Sequence, residues 1–140
     1  MDQKIVLQDW LMIQDTVAAW HTLLKTKDAA GLDAILADNV VFYSPVVHTP
    51  QEGKLITTLY LTAALHVFVN DSFKYLREVV SDNNAVLEFM TVIDGITVNG
   101  VDMLTWGTDG RITEFKVMVR PLKAINLIHR MMGEMLEKMK

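Results

Sequence analysis

The sequence of 140 residues contains no cysteine and only three prolines, and its basic residues do not outnumber its acidic ones. Without cysteine there is neither a disulfide framework nor thiolate chemistry, which fits a cytoplasmic protein. The net charge of −4 argues against nucleic-acid binding, because nucleic-acid-binding domains are usually basic. The apolar runs are too short to cross a bilayer, so we expect neither a signal peptide nor a membrane partner.

Apolar residues, in contrast, are abundant. They make up 51% of the chain, which includes nine methionines. The length predicts a single domain over residues 1–140, and so much apolar surface predicts a lined cavity or a subunit interface. The four histidines lack the spacing of metal ligands, so we expect no metal and no other cofactor.

Hydrophobic periodicity predicts three helices before the main sheet. Residues 5–26 form an amphipathic pattern, and a short second helix follows an Asp28 N-cap and ends near Asp38. A strand is predicted over 40–44. In the segment HTPQEGK, Thr49, Pro50 and Glu52 match a capping box, which predicts a third helix reaching about Val69.

The second half of the chain has the composition of strands. Residues 73–81, 85–93, 96–107 and 111–120 are rich in Val, Ile, Thr and aromatic residues. Asp94-Gly95 and Asp109-Gly110 are hairpin signals between the last three strands. Pro121 then opens a C-terminal helix over 121–140. Helices followed by an antiparallel sheet indicate an α+β fold.

Alternation along the strand at 96–107 places one carboxylate among apolar neighbours. Its inner face carries Val98, Gly100, Asp102, Leu104 and Trp106. If this face is buried, the Asp102 carboxyl is desolvated, and its pKa rises unless the group is paired.

Three segments in this order and spacing resemble the nuclear-transport-factor-2-like (NTF2-like) superfamily, in its SnoaL-like and ketosteroid-isomerase-like branch. They read KDAAGLDAILADNVVFYSP, HTPQEGK and GVDMLTWGTDGRITEFKV. The resemblance covers nearly the whole chain up to Pro121. It implies a cystatin-like cone in which a strongly curved antiparallel sheet wraps around a long helix and leaves a cavity. The helix over 121–140 would be an extension of that cone.

The resemblance also implies positions for functional residues. In the steroid isomerases of this branch, a first-helix tyrosine and a strand aspartic acid form the oxyanion hole, and an aspartate before a proline is the base. Asp102 takes the place of the oxyanion-hole acid, Trp20 that of the tyrosine, and Ser44 that of the base. A serine hydroxyl cannot hold a proton abstracted from carbon at neutral pH, so the isomerase mechanism does not transfer unchanged.

Two interpretations of Asp102 remain open. It is either a structural acid that accepts a hydrogen bond from the Trp20 indole, or a cavity acid that donates a proton or acts as a base. Ser44 is either a structural hydroxyl or a nucleophile served by His48 on the loop near the cavity mouth. The residues that we expect to line the cavity are Trp20, Phe42, His48, Leu104, Trp106, Phe115, Val117 and Val119.

These observations predict a protein that binds a small apolar molecule with a carbonyl or hydroxyl group. It would be either an enzyme of the isomerase, hydrolase or cyclase type, with Asp102 as its acid, or a non-catalytic binding or assembly domain. The strands at 85–93 and 111–120 are apolar on both faces, which predicts a homodimer formed through the outer face of the sheet. For the C-terminal helix, the sequence leaves a lid, an interface and simple packing as alternatives.

Overall fold

The structure is a computed structural model and describes residues 16–139. Residues 16–26 are helical and are named α1, and the part of the predicted first helix over 5–15 lies outside the described residues. Within α1, Val17, Trp20 and Leu24 are buried, as the amphipathic pattern predicts. A 3₁₀ turn, Ala29–Gly31, follows, and the Asp28 carboxylate accepts a hydrogen bond from the Ala30 N–H at 3.1 Å.

The remaining elements form one mixed α+β unit. They are α2 (Leu32–Ile35), β1 (Leu36–Tyr43), β2 (Gln51–Glu52), α3 (Lys54–Phe68), β3 (Lys74–Ser81), β4 (Asn84–Ile93), β5 (Ile96–Trp106), β6 (Ile112–Arg120) and α4 (Leu122–Lys138). The strands make a six-stranded, curved, open sheet in the order β2-β1-β6-β5-β4-β3. β1 runs parallel to β6, whereas every other neighbouring pair is antiparallel.

Two predicted boundaries are wrong near β1. The second helix ends at Ile35, and the strand already begins at Leu36, because Leu36 pairs with Ile112 of β6. The pairing with β6 resumes at Val41 after an irregularity. The capping box at Thr49 is absent, since Gln51 and Glu52 pair with β1 instead. Helix α3 begins after Gly53, whose φ of 103° suits glycine and whose N–H donates to the Val40 carbonyl at 2.8 Å.

The hairpins of the meander follow the sequence signals. Asp94 and Gly95 both have positive φ, 49° and 76°, which is the conformation that a two-residue hairpin turn requires. β4, β5 and β6 then pair in continuous antiparallel register, apart from one irregularity near Trp106.

The sheet has two unlike faces. The inner face carries the buried residues of β4, β5 and β6 and packs against α1 and α3, for example through Trp20 on Phe115 with ring centroids 4.9 Å apart. Gly100 on this face is closely packed, because an added Cβ would lie 2.5 Å from Cζ of Phe89. The outer face of the same strands carries exposed apolar side chains, among them Val92 and Met118, and α4 packs against α3, β5 and β6.

Candidate functional site

Asp102 lies near the middle of β5 and points into the interior of the cone. In register, it faces Leu87 of β4 on one side and Val117 of β6 on the other. The residue is 7% exposed and is the only Asp or Glu among the buried residues of the described chain. The alternation of β5 therefore buries this carboxyl as predicted.

A chain of hydrogen bonds connects Asp102 to α1 through a third residue. The Trp20 indole N–H donates to the Tyr75 hydroxyl at 2.8 Å, and that hydroxyl donates to Oδ2 of Asp102 at 2.6 Å. The alternative in which the Trp20 indole donates directly to Asp102 is therefore wrong, because Tyr75 lies between them. A phenol can join the two groups because it both accepts and donates, whereas an indole only donates.

The strand register explains how Tyr75 reaches this position. Tyr75 pairs with Phe89 on β4, and Leu87, two residues before Phe89, pairs with Asp102. Tyr75 and Asp102 consequently share the inner face across two strand boundaries. The tyrosine ring remains half-buried, while its hydroxyl is enclosed between Trp20 and Asp102.

Burial is the main cause of the pKa shifts of Asp102 and Tyr75. Desolvation raises the pKa of Asp102 from 3.8 to about 7, and the hydrogen bond from Tyr75 opposes this rise in part. Desolvation also raises the pKa of Tyr75 well above its usual value, and the neighbouring Asp102 charge adds to that rise. Near neutral pH the carboxyl can thus carry a proton, while the phenol stays neutral and acts as a donor.

A first cavity, of about 40 Å³, lies against Asp102. Its walls come from α1, α3 and the inner face of the sheet. They include Trp20, Leu24, Leu61, Phe89 and Phe115. Asp102 is the one residue with a titratable side chain among those that line it, so the cavity joins a single proton-carrying group to an otherwise apolar surface.

A second cavity, of about 200 Å³, lies next to the first. Ala64 and Phe68 of α3 and Val117 of β6 line both cavities. The second cavity is enclosed by Phe42 of β1, the loop after β1 and one face of α4. This helix lies beside the cone, and it supplies Ile128, His129, Met132, Gly133 and Leu136 to the wall.

Ser44 lines the second cavity and not the first. Its Oγ accepts hydrogen bonds from the backbone N–H groups of Val46 at 3.1 Å and Val47 at 3.3 Å. These bonds occupy both acceptor positions of the hydroxyl and hold the turn that follows β1. The arrangement is typical of a structural serine, and the structure does not bring Ser44 and Asp102 into one cavity.

The other predicted lining residues divide into four groups. Phe115 and Val117 line the first cavity together with Trp20, and Phe42 lines the second. His48 and Val119 line an open cleft of about 560 Å³ beside Tyr43 and Lys116. Leu104 and Trp106 are buried farther along β5 and line none of these three spaces.

Several lining residues were missed at the sequence level. They are Phe89 on β4 and the α3 residues Leu61 and Phe68, and the sequence also missed Tyr75 on β3 as the hydrogen-bond partner of Asp102. The alternation of Phe73 and Tyr75 against charged Lys74 was the one available signal for the inner face of β3. Within residues 16–139, no three His, Asp or Glu side chains come close enough together to hold a metal ion.

The SnoaL-like domain model matches residues 17–115, which include Trp20, Tyr75 and Asp102. The chain belongs to the SnoaL-like domain family. A comparison with curated proteins finds no match. None of the helices within residues 16–139 has both the length and the apolar character needed to cross a membrane.

Solved structures agree with this family in their fold. A steroid delta-isomerase from Pseudomonas aeruginosa is 35% identical with a TM-score of 0.86, over 91% of this chain and 93% of that one. A protein with a cystatin-like fold from Silicibacter pomeroyi DSS-3 is 26% identical with a TM-score of 0.79, over 85% and 83%. An NTF2-like protein from Mesorhizobium loti, 19% identical with a TM-score of 0.68 over 79% and 92%, shares the fold alone.

Proposed function

We propose that this SnoaL-like protein binds a small apolar molecule with a carbonyl or hydroxyl group, and that Asp102 anchors its oxygen. The observation that carries the proposal is the single buried carboxyl in the wall of an apolar cavity, held in place by Tyr75. In its protonated form, Asp102 donates a hydrogen bond to the ligand oxygen, while Oδ2 keeps its bond from Tyr75.

The similarity to the Pseudomonas aeruginosa steroid delta-isomerase supports this class of ligand, because that enzyme's name implies an apolar steroid substrate. It does not extend to a full mechanism. An isomerase, hydrolase or cyclase needs a further acid–base or nucleophilic group, and among the described residues that line the first cavity only Asp102 carries one. We therefore propose that the protein binds the ligand and polarises its oxygen.

Methyl pentyl ketone is a suitable probe, with binding followed by tryptophan fluorescence and calorimetry. Asp102→Leu should weaken binding by about tenfold, because the ligand oxygen then loses its donor in an apolar site. Binding to the wild type should weaken above pH 7, by about tenfold per unit, as the donor proton is lost. Asp102→Asn keeps a donor and removes the titration, so its affinity should not vary with pH.

Equal affinity of the wild type and Asp102→Leu for the ketone, with both proteins folded, would contradict the proposal. The same samples test for catalysis: exchange of the ketone's α-hydrogens into heavy water, followed by NMR, reports carbonyl activation. Exchange that depends on Asp102 would identify an enzyme, and ketone binding without exchange would identify a binding protein.

We also propose that two copies associate through the outer face of the sheet, which is the non-catalytic assembly alternative. Large apolar side chains are exposed there: Val79 is 57%, Val92 44% and Met118 52% exposed. Burying them against a second copy would remove this surface from water. Sedimentation equilibrium at micromolar concentration should give twice the chain mass of 15.8 kDa, and a single-chain mass would contradict the proposal.

A further inference from the structure

The two cavities are adjacent. Ala64 and Phe68 of α3 and Val117 of β6 line both the first cavity beside Asp102 and the second cavity beside α4. The side chains of these three residues thus lie where the two spaces meet, and Ala64 has the smallest of them. A ligand that displaces these side chains slightly could extend from one cavity into the other.

The first cavity is too small for a whole ligand. Its volume of about 40 Å³ is enough for a few water molecules, whereas sites for small molecules usually measure roughly 300–1,000 Å³. A molecule whose oxygen binds Asp102 must therefore place most of its body elsewhere. The second cavity offers about 200 Å³ and is lined mainly by apolar side chains, including Phe42, Ile128 and Met132.

Gly133 of α4 lies at the solvent-exposed rim of the second cavity. A glycine inside a helix costs about 1 kcal/mol relative to alanine, and packing gives no reason for it here. A Cβ added at Gly133 would meet no protein atom within 4 Å. Residues 129, 132, 133 and 136 share one stripe of the helix, and all four line the second cavity. A side chain at position 133 would consequently occupy space beside this cavity.

The opposite side of the first cavity is less suited to an apolar body. It leads past Leu24, Val69 and Phe73 to an open cleft of about 560 Å³. Lys25, Lys27, Asp71 and Lys74 line this cleft, and all four are exposed. Water and charge there would oppose the transfer of an apolar chain.

We infer that the ligand is an elongated apolar molecule with its oxygen at Asp102 and its apolar body in the second cavity, and that Gly133 keeps space for that body. The inference rests on the proposed function for its polar end. In this arrangement, α4 forms one wall of the binding site, and the length of the ligand determines how tightly it binds.

Two probes that differ only in length test the inference: methyl ethyl ketone and methyl nonyl ketone. With the wild type, the longer ketone should bind far more tightly, since each buried methylene contributes about a fourfold factor in Kd. Gly133→Leu should weaken binding of the longer ketone by about tenfold or more and leave the shorter one unchanged. Because leucine is a better helix former than glycine, this variant should be at least as stable as the wild type.

Asn126→Leu is the matched control. It introduces the same side chain at another exposed position of α4, which lines neither the first nor the second cavity, and both Kd values should stay at the wild-type level. The inference is overturned if Gly133→Leu and Asn126→Leu bind the longer ketone equally well, or if the wild type binds both ketones equally.

Asp102→Leu separates this result from the proposed function. If it weakens both ketones while Gly133→Leu weakens neither, the anchor stands and the body lies outside the second cavity, which overturns the inference. If Gly133→Leu weakens the longer ketone while Asp102→Leu changes neither, the second cavity binds the apolar body and the proposed anchor is wrong.

Discussion

Two carboxyl groups occupy neighbouring positions of the same sheet and lie on its opposite faces. Asp102 of β5 pairs with Leu87 of β4, and the next pair in the ladder joins Val101 to Glu88. The two acidic residues are therefore one step apart along the strands, yet the alternation of side chains sends Asp102 inward and Glu88 outward.

Their surroundings differ in both water and charge. Asp102 is 7% exposed, and its hydrogen-bond partner is the neutral hydroxyl of Tyr75. The Glu88 side chain is 27% exposed, lies 3.6 Å from Nε of Arg77 and accepts a hydrogen bond from Asn99 at 3.1 Å. Among the described residues, no cation balances the charge of the inner carboxyl, which can therefore retain its proton, whereas Arg77 lies beside the outer one. The comparison teaches that the face of the strand, and not the residue type, decides whether a carboxyl is desolvated.

Removing the inner carboxyl should have the largest effect on pH dependence. The folded-state pKa of Asp102, about 7, lies above the usual aspartate value of 3.8. The stability gained from its protonation is thus complete below about pH 4 and is lost as pH rises to about 7. Relative to Asp102→Asn, the free energy of unfolding of the wild type should fall by up to about 1.4 kcal/mol per pH unit in this window, or roughly 4 kcal/mol in all. Urea denaturation across the window measures it.

Glu88→Gln is the control on the outer face. It removes a partly exposed carboxylate and its pairing with Arg77, so its effect on the free energy of unfolding should stay below about 1 kcal/mol. If the comparison holds, the difference in the free energy of unfolding between the wild type and Asp102→Asn does not change with pH above pH 7. A difference that stays constant between pH 4 and pH 7 would show that Asp102 is solvated.

Removing the Tyr75 hydroxyl, which lies between Trp20 and Asp102, should have a smaller effect on the free energy of unfolding. Tyr75→Phe leaves the Trp20 indole N–H without its acceptor and Asp102 without its donor, which should cost about 1–3 kcal/mol. Loss of this donor should also raise the pKa of Asp102 further, so the fall in stability would extend to higher pH. Urea denaturation at pH 5 and pH 8 separates the two effects.

Tyr43→Phe serves as the matched variant, because Tyr43 lies at the end of β1 with its ring beneath Lys116 and away from Asp102. Its change in the free energy of unfolding should be within about 0.5 kcal/mol at both pH values. If Tyr75→Phe behaves like Tyr43→Phe, the bond to Asp102 contributes nothing to the stability of the inner face.

The fold could be predicted because its signals are local. Asp94-Gly95 specifies a two-residue hairpin, and strict alternation along β5 identifies the inner face from Val98 to Trp106. The position of β1 could not be predicted in the same way. Its pairing with β6 joins residues far apart in sequence, and this tertiary contact replaces the local helical preference of residues 36–38.

The site could be predicted only in part, for a related reason. Burial of Asp102 follows from one strand, but its partner follows from the registers of two strand pairs and from an irregularity between Tyr75 and Arg77. A pattern along one strand carries no information about those registers. Trp20 reaches the same group from α1 through the phenol, so its neighbourhood was predicted correctly and its hydrogen-bond partner was not.

Gly100 limits how the site can change during evolution. An added Cβ there would collide with the Phe89 ring at 2.5 Å and with the Met118 carbonyl oxygen at 2.6 Å, and Phe89 forms part of the wall of the first cavity. Any side chain at position 100 would displace this part of the wall or the β6 backbone. The packing of the cavity wall thus depends on a residue without a side chain, and position 100 is closed to the substitutions that would adapt the site to a new ligand.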